Sequence, residues 1–244
     1  RSAKNIVDEI ELLQKQYGIK EIWIEDDNFT FNKNFVKEFC NELIKRNVKI
    51  SWSCPNGVRL NTLDRELLDL MKKTGCYILM VGIEFGSQRI LDKVKKSLKV
   101  EEIREKVELI NESGIDAHGF FIMGFPSETK EDIMKTIKLA LELDLIGANF
   151  AFFHPLPGTE IFSELVKNKE VNEENYEGLR GDKATYADIL YTPKGLTYDE
   201  LKKYHHYAVT RFYLRPKIIL KYLREIKSLR NLGYLMKRAF SYLR

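Results

Sequence analysis

The sequence predicts an α/β fold built around a parallel sheet, and three observations lead to this prediction. Helix-like and strand-like stretches alternate over the first 155 residues, with a strand recurring about every 30 residues. The strand-like runs are short and rich in β-branched or aromatic residues. Glycines and capping residues separate the elements. Right-handed crossovers would pair such strands in parallel, so the sheet either closes toward a barrel or winds open.

Five strands and their helices can be placed from these patterns. The predicted strands are Glu21–Glu25, Ile50–Cys54, Tyr77–Glu84, Ala117–Met123 and Ala148–Phe153. The predicted helices among them are Ala3–Tyr17, Asn32–Arg46, Asp64–Thr74, Val100–Ser113 and Thr129–Leu143, followed by a short helix at Glu160–Lys167. Thr197 with Glu200 predicts a capping box and a helix ending near Leu214, Pro216 starts another helix, and residues 231–233 precede a last one. Because the sequence starts inside a helix, and each helix of a βα array follows a strand, we expect a further strand to precede Arg1.

Composition and charge exclude several classes of protein. The 244 residues are 44% hydrophobic and 31% charged, a globular balance, and no apolar run is long enough to cross a membrane. The three cysteines are odd in number and widely spaced, which argues against a disulfide framework or a zinc site and favours a reducing, cytoplasmic location. Residues 202–244 carry twelve basic residues and one acidic residue, whereas residues 1–201 have a net charge near −7. This asymmetry predicts a boundary near residue 200.

Polar residues and turn residues follow every predicted strand. In parallel α/β sheets the carboxyl ends of the strands, and the loops after them, gather ligands. Three acids in a row, Glu25, Asp26 and Asp27, repel one another unless a cation or hydrogen-bond donors lie nearby. Glycines at 82, 86 and 124 allow a ligand to approach the backbone closely. The pattern suits a small zwitterionic ligand with a planar part, although each loop taken alone could be an ordinary turn or helix cap.

From Ile6 to about Pro216, the sequence resembles a known family, the radical S-adenosylmethionine (SAM) enzymes. The resemblance is strongest to the large branch whose members often carry an upstream cobalamin-binding domain. The segments that carry it, in chain order, are EDDNFT, CPNGVR, GIEFGSQRILDKVKK, GFFIMGFPSET and HPLPGTEIF. The resemblance implies a partial (β/α)6 barrel similar to a TIM barrel, missing its first strand, with a helical C-terminal extension. The predicted divisions are a barrel at 1–167, a loop connection at 168–196 and a basic helical extension at 197–244.

The resemblance also implies cofactors. Members of the family bind a [4Fe-4S] cluster through a CxxxCxxC loop after the first barrel strand. That motif is absent here, and none of Cys40, Cys54 and Cys76 replaces it. We therefore expect the cluster ligands to lie outside this chain, and Cys54 to be a buried free thiol. The implied activity is reductive cleavage of SAM, driving radical chemistry or methyl transfer, with cobalamin as a further cofactor in part of the branch.

Family roles transfer to individual residues of this sequence. Glu25, Asp26 and Asp27 match the motif that binds the amino group of SAM, with Asp27 or Asp26 the first choice. Arg59 is a candidate for its carboxylate, because a guanidinium forms a bidentate fork with a carboxylate, although a surface arginine is the competing interpretation. The remaining candidates are Glu84 and, more weakly, Gln88 for the ribose, Ile122 and Gly124 for the adenine face, and His154 and Pro155 for the adenine edge. His118 and His154 also fall near strand ends, where they could touch a substrate.

Several alternatives remain open. The chain is either the core of a radical enzyme, or a binding module that kept the barrel and lost the cluster, or a non-redox α/β-barrel lyase. The third interpretation lacks a strand-end lysine for a Schiff base. The resemblance implies a small-molecule or natural-product-like substrate and a flavodoxin or ferredoxin type of electron donor. The basic amphipathic tail packs on another part of the protein, such as an upstream cobalamin-binding domain, or lies on a membrane surface.

Overall fold

The computed structural model describes residues 1–173 and 188–225. Its five strands form one sheet in the order β1-β2-β3-β4-β5. The strands are β1 (Glu21–Trp23), β2 (Ser51–Val58), β3 (Cys76–Glu84), β4 (Asp116–Met123) and β5 (Gly147–Phe152). The helices are α1 (Ala3–Tyr17), α2 (Lys33–Lys45), α3 (Arg65–Lys73), α4 (Gln88–Lys93), α5 (Val100–Glu112), α6 (Lys130–Glu142), α7 (Glu160–Lys167), α8 (Tyr198–Tyr213) and α9 (Pro216–Glu225). Every predicted strand and helix within the described ranges is present, and α4 is an addition.

The strands pair in parallel, as the alternating pattern predicted. Glu21 of β1 lies opposite Ser51 of β2, and Trp23 lies opposite Ser53. β2 pairs with β3 in the same sense. At the other edge the Ile146 N–H donates to the Ala117 carbonyl at 2.9 Å, and the Phe153 N–H donates to the Met123 carbonyl at 2.8 Å. The α/β fold class with a parallel sheet is therefore confirmed.

The second strand differs from its prediction. β2 continues four residues past Cys54 to Val58, and its register with β3 shifts between Cys54 and Val58. A bulge of this kind fits extra residues into one strand, and Gly57 supports it with φ +101°. The predicted strand ended too early because Pro55 and Gly57 are residues that usually end strands.

Local capping explains where several helices begin. Asn32 accepts a hydrogen bond from the Phe35 N–H at 3.1 Å and caps α2. Thr197 and Glu200 form the predicted capping box of α8, with reciprocal bonds of 3.2 and 3.0 Å. Thr129 and Asp132 form a similar box at the start of α6. The predicted last helix, after residues 231–233, lies outside the described residues.

The chain divides into two compact units. The first comprises residues 1–83, 91–120 and 140–148. Its core is centred on Trp52, which is fully buried and packs edge-to-face against Phe29 and Phe39 at 5.9 and 5.7 Å. The Trp52 indole N–H donates to the Thr74 carbonyl at 3.2 Å, so the buried polar atom is satisfied.

The second unit comprises residues 84–90, 121–139 and 149–244, and the structure describes the last of these segments at 149–173 and 188–225. One aromatic group joins β4, β5 and α8: Phe121 stacks on Phe150 at 5.1 Å, and Phe150 meets Phe212 edge-to-face at 6.2 Å. His205 of α8 donates to the Phe150 carbonyl at 2.9 Å, and burial lowers the pKa of this histidine. The helix α8 is thus an integral part of this unit. Among the described residues, no helix has the length and apolar character that crossing a membrane requires.

Candidate functional site

In the first unit, the candidate residues are charged and exposed. Glu25, Asp26 and Asp27 follow β1 after one intervening residue, and all three side chains are exposed. The Asp26 Oδ1 accepts a hydrogen bond from the Asn28 N–H at 2.9 Å. The Glu25 carbonyl accepts from the Asn56 side chain at 2.9 Å, which fixes the path of the backbone. Within the described residues, the Glu25 and Asp27 carboxylates carry no hydrogen bond or ion pair.

Arg59 follows β2 directly and is also exposed. Its backbone carbonyl accepts from the Thr62 hydroxyl at 2.6 Å and from the Thr62 N–H at 3.0 Å. In the part of the chain that the structure describes, its guanidinium makes no ion pair. Opposite charges are therefore available in this unit, at the ends of two neighbouring strands.

In the second unit, the candidate residues lie at the ends of three strands, and the loops after β3 and β4 are bonded to each other. Glu84 ends β3, and Gln88 begins α4; both are half-buried. Glu84 has φ +65°, a left-handed backbone conformation that a side chain makes unfavourable. Such strain is typical of positions where a side chain is held for function.

The loop after β4 holds the second pair of candidates. Ile122 is half-buried in β4, and Gly124 follows the strand with φ +85°. A Cβ atom at Gly124 would come within 2.9 Å of the Leu201 side chain of α8, so glycine allows this close approach. After β5, Pro155 is buried, and the His154 Nε2–H donates to the Asp188 carbonyl at 2.7 Å.

A buried carboxylate, Asp132, connects the loop after β3 with the loop after β4. Asp132 Oδ1 accepts from the Ser87 hydroxyl at 2.5 Å. Its Oδ2 accepts from the Thr129 N–H at 3.0 Å and from the Thr129 hydroxyl at 2.9 Å, and it pairs with Arg89. Burial by itself raises the pKa of Asp132, but the bonds from Ser87, Arg89 and Thr129 outweigh burial and hold this pKa below its usual value. We call these four residues the Asp132 network.

Gly86 completes the contact between the loops. Its N–H donates to the Thr136 hydroxyl of α6 at 2.9 Å. A Cβ atom placed on Gly86 would lie 2.6 Å from the Thr136 Cα, so a side chain cannot be accommodated without movement of α6. The loop at residues 84–88 therefore packs directly on the helix that follows the 124–129 loop.

A second buried acid, Glu128, was not predicted from the sequence. Its side chain is 1% exposed, and Oε2 accepts from the Gly124 N–H at 2.6 Å and from the Phe125 N–H at 3.1 Å. Burial raises the pKa of Glu128 to about 8, against the lowering effect of these two bonds. The signal available in the sequence was an acid four residues after Gly124, in a segment otherwise made of apolar and turn residues.

The three cysteines are buried free thiols. Burial raises the pKa of Cys54 to about 12 and that of Cys40 to about 11, so neither is a ready thiolate. No group of three or more metal-binding side chains occurs within the described residues. The residues present in these ranges therefore do not fit an iron–sulfur cluster. In the first unit, the exposed charges of both signs after β1 and β2 suit the amino and carboxylate groups of a zwitterionic ligand.

His118 does not lie where the sequence suggested. We expected it near a strand end, where it could touch a substrate, but it is the third residue of β4 and is buried. Its ring lies against β5, since a Cβ atom at Gly147 would come within 2.6 Å of the His118 Cε1.

These strand-end loops on a parallel α/β scaffold define a class of protein that binds its cofactor on the carboxyl side of the sheet. Residues 1–140 match the sequence profile of the radical SAM superfamily, and the chain belongs to that family. The superfamily uses SAM and a [4Fe-4S] cluster.

Relatives and solved structures agree with this assignment. The chain is 33% identical over 238 residues to an uncharacterized methyltransferase of Pyrococcus horikoshii, covering 98% of this chain and 49% of that protein. It is 33% identical to the cytidylyl-2-hydroxyethylphosphonate methyltransferase of Streptomyces wedmorensis, covering 71% of this chain and 34% of the relative. The chain thus spans about half or less of the length of these relatives.

Among solved structures, the radical SAM methyltransferase TsrM of Kitasatospora setae, with cobalamin and a [4Fe-4S] cluster bound, superimposes with a TM-score of 0.66. The match covers 89% of this chain and 47% of TsrM at 19% identity. This likeness shows the fold, and the predicted partial barrel is confirmed.

Proposed function

We propose that this chain is the SAM-binding core of a radical SAM enzyme that transfers methyl groups or performs related radical chemistry. The observation that carries the proposal is the pair of loops at 84–88 and 124–129, which the Asp132 network holds together around glycine backbone. Methyltransferases among the relatives support methyl transfer. A cyclase of Rubrivivax gelatinosus, 34% identical over 70% of this chain, supports other radical chemistry as an alternative.

Each candidate residue receives one role in this proposal. In the first unit, Asp27 or Asp26 accepts hydrogen bonds from the amino group of SAM, with Glu25 beside them, and Arg59 pairs with its carboxylate. In the second unit, Glu84 and Gln88 bind the ribose hydroxyls. Ile122 and Gly124 pack on the adenine face, and the His154–Pro155 backbone meets its edge. The support lies in the position of each residue at the end of a strand.

The chain supplies binding and orientation in this scheme, and the cofactors supply the reactive chemistry. The cluster is held by cysteines outside this chain. A low-potential donor of the flavodoxin or ferredoxin type delivers the electron, and cobalamin on an upstream domain serves as a second cofactor.

The substrate is a small, natural-product-like molecule, and the site of action is the cytoplasm. The basic tail contacts another domain of the whole protein or a membrane surface.

The division of the chain into a barrel at 1–167, a loop connection at 168–196 and a basic extension at 197–244 also remains a prediction. Of these, the connection is described only at 168–173 and 188–196, and the extension only up to Glu225. The basic side chains toward the end of the extension lie outside the described residues.

The test uses the full-length protein, reconstituted anaerobically with iron and sulfide. Dithionite and SAM are added, and 5′-deoxyadenosine and S-adenosylhomocysteine are measured by mass spectrometry. Asp27→Ala is compared with Asp69→Ala, which removes an exposed aspartate on α3 with one weak ion pair. We expect products with the wild type and with Asp69→Ala, and a loss of at least about tenfold with Asp27→Ala.

A full-length protein on which no cluster forms and from which neither product appears would overturn the enzyme proposal. The chain would then be a binding module that retains the barrel. SAM binding without turnover would be its signature.

A further inference from the structure

The Glu128 carboxyl occupies an unusual position among the polar groups of the second unit. Both of its hydrogen bonds reach the same oxygen, Oε2, and both come from backbone N–H groups of the loop after β4. The other oxygen, Oε1, is buried and has no partner among the described residues. Within the described ranges, the acid is thus hydrogen-bonded through one oxygen and buried without a protein partner at the other.

This arrangement suits a neutral carboxylic acid. The carbonyl oxygen of a protonated acid can accept two N–H donors, while its hydroxyl occupies the second position. A carboxylate in the same place would leave one charged oxygen buried without a donor, which is costly. Burial also raises the pKa of Glu128 to about 8, so the neutral form predominates at neutral pH.

The charged groups around Glu128 come from two helices. Asp132 of α6 opposes its ionisation, whereas Arg89 of α4 favours it. The third helix that reaches this loop is α8, which presents Leu201 to Gly124 and pairs its Glu200 with Lys130. Among the described residues, none of these groups donates a hydrogen bond to the Glu128 Oε1.

The backbone that Glu128 holds is the segment assigned above to the adenine face. The Gly124 and Phe125 N–H groups are fixed by Oε2, and Gly124 and Ser127 have φ values of +85° and +69°. A turn with two residues in the left-handed φ region needs a hydrogen-bond acceptor within the turn to keep its shape. Glu128 is that acceptor.

We propose that Glu128 is a positioning residue that, as a neutral acid, locks the Gly124–Phe125 backbone into the shape that receives the adenine of SAM. This inference rests on the proposed function, because SAM is the ligand whose affinity it sets. When Glu128 ionises, water must reach Oε1, and the loop loosens. Ligand affinity then falls as the pH rises above about 8.

Two variants separate the hydrogen bonds from the charge. Glu128→Gln keeps a carbonyl oxygen for both N–H groups and cannot ionise, so it mimics the neutral acid. Glu128→Ala removes the acceptor and leaves two buried donors without a partner. At pH 7 we expect Glu128→Gln to bind SAM within about twofold of the wild type and Glu128→Ala to bind about tenfold more weakly.

Two measurements on the full-length, cluster-loaded protein test the proposal. The first is the dissociation constant of SAM between about pH 6.5 and pH 9.5 by equilibrium dialysis. The amino group of SAM also titrates in this range, but it affects the wild type and Glu128→Gln equally. The ratio of the wild-type dissociation constant to the Glu128→Gln dissociation constant therefore reports the effect of residue 128 alone. We expect this ratio to rise by about tenfold across the range. A constant ratio would overturn the role of the neutral acid.

The second measurement is hydrogen exchange of the Gly124 and Phe125 amides without ligand, corrected for the intrinsic effect of pH. We expect protection in the wild type at pH 7 and in Glu128→Gln, and its loss in Glu128→Ala. Equal protection in all three proteins would overturn the positioning role, and so would a folded Glu128→Gln that binds as weakly as Glu128→Ala. If no protein binds SAM, the proposed function fails, and the exchange result alone decides whether Glu128 holds the loop.

Discussion

The two units hold their candidate residues in opposite ways. In the first, Glu25, Asp27 and Arg59 are exposed, and their charged groups make no bonds within the described residues. In the second, Asp132 and Glu128 are buried acids whose bonds tie loop backbone in place. Charged side chains that make no bonds within the protein suit the polar end of a ligand, because the charged groups of the ligand can pair with them. A preorganised loop suits an apolar ring, which cannot organise the protein by itself.

This contrast predicts that substitutions in the two bonded loops of the second unit lower stability, whereas substitutions of the exposed charged residues of the first unit affect binding alone. Gly86→Ala should have the largest effect, because its new Cβ atom would lie 2.6 Å from the Thr136 Cα of α6. We expect a loss of about 3 kcal/mol in the free energy of unfolding. Denaturant unfolding of the full-length protein measures it.

Gly18→Ala is the matched control for this prediction. Unlike Gly86, Gly18 has a positive φ, +64°, but a Cβ atom there meets nothing within 4 Å. Its cost should be limited to backbone strain of about 1 kcal/mol. Equal losses in the two variants would show that the packing of the loop on α6 is not tight.

Asp132→Asn should have the next largest effect. The amide cannot accept all the bonds that the carboxylate receives from Ser87, Arg89 and Thr129, and a loss of about 2 kcal/mol in stability is expected at pH 7. The bonded carboxylate has a pKa below its usual value of 3.8, so its stabilising effect is present above that pH and declines as the pH falls below it.

Unfolding of wild type and Asp132→Asn from about pH 3 to pH 7 checks this prediction. The difference between the two proteins should shrink toward pH 3. A difference that does not vary with pH would mean that the charge of Asp132 contributes nothing, and that only its shape matters.

The ionisation of Glu128 should change stability with pH in the opposite direction to that of Asp132. The pKa of this acid is raised from 4.5 to about 8 in the folded protein, so the unfolded chain releases the proton first. The stability of the wild type relative to Glu128→Gln should therefore fall steadily from about pH 4.5 to about pH 8, and stay level above it. Paired thermal unfolding at several pH values measures this difference, and a level difference throughout would contradict it.

Arg59→Gln should weaken SAM binding by about tenfold and leave stability unchanged within about 0.5 kcal/mol. The reason is that its guanidinium is exposed and has no ion pair in the described part of the chain to lose. Calorimetric binding and thermal unfolding of one preparation provide both values. A loss of stability as large as that of Asp132→Asn would show that Arg59 is structural.

The smallest effect is expected at the cysteines. Burial raises the pKa of Cys54 to about 12, so iodoacetamide at pH 8 should label it only after denaturation. Mass spectrometry of labelled peptides gives the extent. Rapid labelling in the native protein would mean that the β2 backbone around Cys54 opens readily.

The sequence was sufficient for the elements and their order, because periodicity and caps are local signals. Helix α7, at Glu160–Lys167, was placed without error, and the capping box of Thr197 and Glu200 formed as expected. The length of β2 was not predictable, since a bulge depends on the register with β3. The candidate residues could be assigned to strand ends, but the burial of Glu128 could not, because an acid in a turn usually faces water.

The strand β1 has a consequence for handling the protein. It is three residues long and lies at one edge of the described sheet, where Trp23 is 64% exposed. A strand at the edge of a sheet can pair with a further strand, from elsewhere in the whole protein or from a second molecule. Glu21 in β1 and Glu25 after it would repel the same acids of a second molecule at this edge. Self-association through β1 is therefore expected to increase as salt screens these charges.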